Sequence, residues 1–72
     1  MVNTRKLKAK MVEAGMSAQE AAARLGVNRS TFYRKLQRPD TLISVRDVRL
    51  LAEALHISIQ EAVEIFFEPD VA

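Results

Sequence analysis

Apolar residues along the 72-residue chain return every three or four positions, and no stretch alternates with a period of two. That spacing belongs to helices that each bury one face. Leu7, Met11 and Ala14 share one side of a first helix from about Thr4 to Ala14, with Arg5, Lys6 and Lys8 outside it and Gly15 ending it. A second helix opens at Ser17 and Glu20, whose S-x-x-E spacing is that of a reciprocal capping box, and stops at Gly26. Asn28 is a good N-cap for a third, which runs to about Gln37 before Pro39 and Asp40 turn the chain. Ser44 and Asp47 open a fourth, "SVRDVRLLAEAL", with Val45, Val48, Leu51, Ala52 and Leu55 as its apolar stripe. Ser58 and Glu61 open a fifth, "SIQEAVEIFF", and Pro69 closes the ordered part. His56, at the end of the fourth helix, stands where a positive φ is expected, a conformation His tolerates better than most residues.

The pattern predicts an all-α, compact five-helix domain spanning 1–72, with an ordered core of about 4–67 and a short tail at 68–72. A chain of this size buries only about 60% of the surface it exposes when unfolded, so its margin is thin. There is no Cys and a single His. Disulfides and thiolate ligands are therefore excluded, and a metal site or nucleophile–base pair lacks the residues it needs. No catalytic residue, metal or cofactor is expected, and an enzyme is not. No apolar run approaches the ~20 residues of a membrane span. The basic start, "MVNTRKLKAK", has no apolar stretch behind it, so it does not read as a signal peptide. The expectation is a soluble cytoplasmic protein.

Charge changes this picture. Residues 1–38 hold nine Lys/Arg against Glu13 and Glu20, net +7, whereas residues 39–72 hold Arg46 and Arg49 against seven acids, net −5, which together give the chain's +2. One end is suited to polyanions and the other is not. The basic half also contains a tight connection: only Gly26 and Val27 separate Leu25 from Asn28. Helices joined so tightly cross steeply, the helix-turn-helix arrangement of the second and third helices. Ala22 is small where the two backbones approach, and Val27, Phe32 and Leu36 are placed to point into the core.

At about 100° per residue from Arg29, Phe32 and Leu36 fall on one edge of the third helix, while Arg29, Tyr33, Gln37, Ser30 and Arg34 form a continuous polar face. Such a face fits the major groove of duplex DNA, where Arg can hold guanine O6 and N7 and Ser can bond several bases. Asn28 can address adenine or a phosphate, and Tyr33 a thymine methyl or a phosphate. Lys35 and Arg38 lie on a flank, as phosphate contacts or solvated charge. The competing reading is a basic helix that carries its charge only for solubility.

"SAQEAAARLGVNRSTFYRKLQR" resembles the helix-turn-helix of the lambda-repressor-like superfamily, which includes phage repressors, Cro proteins and xenobiotic-response-type regulators. The wider frame is similar over roughly residues 4–67, with a basic first helix ending in "EAGMS" and two further helices after the motif. The resemblance implies operator binding, usually as a homodimer on a palindrome. It implies base reading by Asn28, Arg29, Ser30, Tyr33 and Arg34, and phosphate contact from the start of the second helix at Ser17, Ala18 and Gln19. The family often has Gln where this chain has Ala18, and an apolar residue where it has Lys35. "RSTFYRKL" is also common in Fis-type activators, but the short first helix and the two that follow argue against that frame.

Phosphate contacts are accordingly assigned to Ser17, Gln19, Lys35, Gln37, Arg38, Lys6 and Lys10, with a solvated face as the alternative for the lysines of the first helix. The fifth helix is more apolar than one core face requires, which suggests a dimer interface using Leu50, Ile65 and Phe67; closing the bottom of the core is the alternative. The functional expectation is a sequence-specific, double-stranded DNA-binding transcriptional regulator, Cro-like or repressor-like, from a bacterial or phage-infected cell and associated with the nucleoid. No membrane and no small-molecule ligand is expected as a partner. The other expectation is an antitoxin-like or adaptor protein that acts mainly through protein contacts of its C-terminal half.

Overall fold

The computed structural model describes residues 2–67, and every element in that range is helical. In chain order they are α1 (Thr4–Glu13), α2 (Ala18–Arg24), α3 (Arg29–Gln37), α4 (Pro39–Leu42), α5 (Val45–Leu55) and α6 (Ile59–Phe67). Five of them are the five that the sequence predicts. The sixth, α4, is one turn of helix where only a chain reversal was expected. Pro39 supplies the preset φ of a first helical position, and the Arg38 carbonyl accepts the Leu42 N–H at 2.9 Å. The predicted stop at Pro69 and the tail at 68–72 lie outside the described residues.

Local chemistry fixes the helix ends. The Asn3 side chain accepts the Lys6 N–H at 3.1 Å, and the Asn3 N–H donates to the Ile65 carbonyl at 2.8 Å, which docks the start of α1 on α6. Ser17 with Glu20 and Ser44 with Asp47 form complete capping boxes, and the Glu61 N–H donates to Ser58 Oγ at 3.0 Å. Three helices end in the same way. The chain turns left-handed at the helix end, at Gly15 (φ 65°), Gly26 (φ 74°) and His56 (φ 57°). The next N–H then reaches back to close the last turn, Met16 to Met11, Val27 to Ala22 and Ile57 to Ala52, at 2.8, 3.0 and 3.0 Å. This pairing is the Schellman motif, and His56 occupies the position that glycine holds in the other two.

Phe32, Phe66, Leu51 and Ile65 are the largest fully buried side chains. α5 is the central element and packs on α6, α2 and α1, while α3 packs on α2 and α4. Ala21 and Ala22 are buried where α2 lies close to its neighbours. Two apolar expectations reverse. Val45, counted in the α5 stripe, is 76% exposed because it is the first residue of the helix and projects beyond the packed turns. Ile65, counted as a dimer contact, is 0% exposed. The helix that looked too apolar for one core face turns Ile65 inward beside Ala62 and Phe66 and leaves Ile59 and Val63 outside.

Candidate nucleic-acid interface

The residues of α3 separate as the wheel predicts. Phe32 is buried and Leu36 half-buried against the core, which pins one edge. Arg29, Ser30, Tyr33, Arg34 and Gln37 are all exposed on the other side, and Arg38 follows them. Arg29 and Arg34 form no ion pair with any described side chain, so their guanidinium donors are uncommitted. Asn28 Oδ1 holds the Thr31 N–H at 2.8 Å as the cap of α3. Its amide NH2 is then the free group, which suits an acceptor on a phosphate or base edge better than the two-bonded contact with adenine.

The turn brings the start of α2 to the start of α3. Gln19 and Ala23 share one shallow concavity with Val27, Asn28, Arg29 and Ser30. Gln19 thus stands with the leading residues of α3, as the resemblance implies. Ser17 is exposed at the same end of α2, with its Oγ accepting the Glu20 N–H at 3.1 Å and its own N–H held by Glu20 Oε1 at 3.2 Å. On the opposite flank, Tyr33 and Gln37 border a groove of about 640 Å³ whose other wall is Thr4, Leu7, Lys8 and Met11 of α1.

Three predicted phosphate contacts are engaged elsewhere. Lys35 Nζ donates to the Leu42 carbonyl at 2.8 Å and to Asp47 Oδ2 at 2.9 Å. Its side chain turns under α3 toward α5, away from the exposed face. Lys6 lies 3.9 Å from Glu64, and Lys10 lies 3.5 Å from Glu13 and 3.7 Å from Glu61. These two lysines are on the side of α1 that meets α6. Lys8, about 160° from them around the helix at 100° per residue, is the α1 cation in the groove with Tyr33 and Gln37. The sequence carried that signal, since Thr4, Lys8 and Met11 share a face, but it did not say which neighbour that face meets.

A family model described as a helix-turn-helix domain matches residues 4–64. The chain belongs to this helix-turn-helix family. The match runs past α3 into α6, so the helices that follow the crossed pair are part of the family frame, consistent with the Cro and repressor type. No curated protein and no solved structure matches the chain. The helix-turn-helix assignment makes this a DNA-binding domain of the regulatory kind, with α2 and α3 as its crossed pair. Among the described residues no helix is long and apolar enough to cross a membrane, and no cluster of potential metal ligands occurs.

Proposed function

We propose that this protein is a sequence-specific transcriptional regulator, Cro-like or repressor-like, that inserts α3 into the major groove of duplex DNA. The observation that carries the reading is the α3 face itself. Arg29, Ser30, Tyr33 and Arg34 are exposed together on a helix whose opposite edge is anchored by Phe32. Arg29 and Arg34 are the candidates for bidentate bonds to guanine, and Ser30 and Tyr33 read adjacent edges. Gln19 and Ser17, with Gln37, Arg38 and Lys8 on the flanks, address phosphates, which set register and affinity rather than sequence. Bound at a promoter in the nucleoid of a bacterial or phage-infected cell, the protein acts by occlusion or local recruitment.

The operator is read as a palindrome by a homodimer. What supports self-association is an apolar surface of α5 and α6. Val45, Ile59 and Val63 are exposed and line a shallow groove with Ile43 and Phe67. Phe67 stays in the interface first assigned from sequence. Ile65 leaves it, and Leu50 is half-buried against the core. The same surface favours the second reading, in which the C-terminal half neutralises or recruits another protein and DNA binding is secondary.

Selection of bound sites from random duplexes tests the proposal. A palindromic consensus with half-sites about 34 Å apart is expected, with affinity falling on a log–log plot by about 0.9 per phosphate neutralised as salt rises. Weak, salt-insensitive binding without a consensus favours the protein-partner reading.

A further inference from the structure

Lys35 is partly buried on the core-facing flank of α3. Its side chain is 17% exposed, and that of its partner Asp47 is 5% exposed. Lys35 Nζ reaches the Leu42 carbonyl and Asp47 Oδ2 at once. Leu42 is the last residue of α4, so that carbonyl is one of the groups a helix end leaves without an internal partner. Asp47 Oδ2 also accepts the Ser44 N–H at 3.1 Å, while Ser44 Oγ accepts the Asp47 N–H at 3.1 Å. One ammonium therefore joins three elements: the C-terminal half of α3, the end of α4 and the capping box of α5. The described residues show no other polar side-chain tie between α3 and α5.

The position of this tie matters for what α3 presents. Phe32 and Leu36 hold the helix at its core edge by packing, which is not directional. On the α1 side, Tyr33 and Gln37 border an open groove. On the remaining side, where α3 packs on α4, Lys35 adds the directional bonds. Side-chain tips lie about 6 Å from a helix axis, so a rotation of about 10° carries them about 1 Å. A recognition constellation tolerates about 0.5 Å. A buried ion pair adds little net stability over apolar residues of the same shape, and fixing one arrangement among several is the use such pairs are best suited to.

We propose that Lys35 is a positioning residue for sequence recognition: its bonds to Asp47 and Leu42 set the rotation of α3 about its own axis, and so aim Arg29, Ser30, Tyr33 and Arg34 without touching DNA. This rests on the DNA-binding reading above. It departs from the phosphate-contact role assigned to Lys35 from sequence.

The test uses the full chain, a duplex selected by the wild type and a scrambled duplex, at several salt concentrations and at a temperature where circular dichroism shows each variant folded. Lys35→Met and Asp47→Asn are each expected to weaken cognate binding about tenfold, the size of one lost base contact. They should leave the salt slope and the scrambled-duplex affinity unchanged. The double variant should bind no more weakly than the poorer single one. A Lys35→Met slope shallower by about 0.9, with Asp47→Asn neutral or tighter, makes Lys35 a phosphate contact and overturns the proposal. So does wild-type affinity and selectivity in both variants alongside lower melting temperatures, which is a stabilising role only. Absence of salt-dependent duplex binding by the wild type overturns the DNA reading itself and is recognised before any variant is compared.

Discussion

Lys10 Nζ lies 3.7 Å from the Glu61 carboxylate, whereas Lys8, two residues earlier on α1, stands in the groove beside Tyr33 and Gln37. Two cations of one helix thus serve different surfaces. Lys8→Ala is expected to make the salt dependence of DNA binding shallower by about 0.9, the signature of one phosphate contact. Lys10→Ala and Lys6→Ala should leave both slope and affinity within about twofold of wild type, because these lysines face acids of α1 and α6 rather than the α3 face. A slope change in the Lys10 variant, with none in the Lys8 variant, would reverse the assignment.

Arg29 and Arg34 carry the base-reading prediction. Replacing either by Ala should cost roughly 1–3 kcal/mol on the selected site and relax preference at one base pair. The measurement is a competition series of duplexes substituted one position at a time. Equal losses on every duplex would demote that arginine to a backbone contact.

The exposed α3 face was legible in the sequence because it depends only on the helical repeat and on where Asn28 starts the count. The capping boxes at Ser17 and Ser44 were legible for a similar reason, since both partners lie within four residues. Lys35 was not. Its partner Asp47 is twelve residues away, and the two meet only because α4 returns the chain under α3. Four residues of α4 are too few to show a periodicity. For α6, the sequence showed more apolar residues, Ile59, Val63 and Ile65 among them, than one core face needs. Which of them point inward depends on how α6 crosses α5 and on the tie between Asn3 and the Ile65 carbonyl, neither of which periodicity encodes.

Asp47 gives the fold an acid limit. Burial pushes its carboxyl up, but the hydrogen bond from Lys35, the Ser44 backbone N–H, the Lys35 charge and the Ser44 side chain together bring it below the usual carboxylate range. The folded pKa lies below the unfolded value of about 3.9. The stabilisation is therefore fully present above that pH and is lost as pH falls through the folded value. Urea melts of wild type and Asp47→Asn should differ by a constant amount from pH 7 to about pH 5 and converge below about pH 4. A gap that instead closes toward neutral pH would show that the carboxyl titrates far higher than this geometry allows.

His56 is the third of three left-handed helix stops and the only one among them that is not glycine. It is exposed. A side chain there costs on the order of 1 kcal/mol, so His56→Gly should stabilise the domain by about that amount and raise its melting temperature by several degrees. Gly15→Ala and Gly26→Ala should destabilise by a similar amount. A Cβ at either site meets nothing within 4 Å, so the penalty comes from the backbone alone. A destabilised His56→Gly variant would mean that the imidazole makes a contribution its exposure does not suggest.

Ile65 and Val63 separate the core from the proposed interface. Ile65→Ala empties a fully buried site and should cost about 3 kcal/mol of folding free energy, a large part of the ~4–10 kcal/mol that a domain of this length has. Val63→Lys replaces an exposed residue in the middle of α6 and should change stability by no more than about 0.5 kcal/mol. If α5 and α6 form the dimer contact, Val63→Lys and Ile59→Lys will sediment as monomers at concentrations where the wild type is a dimer. They will also bind a single half-site as well as the wild type does, while losing the gain from two half-sites on one duplex. A Val63→Lys variant that remains dimeric and keeps that gain would place the self-association surface elsewhere and leave the exposed apolar groove to a different protein.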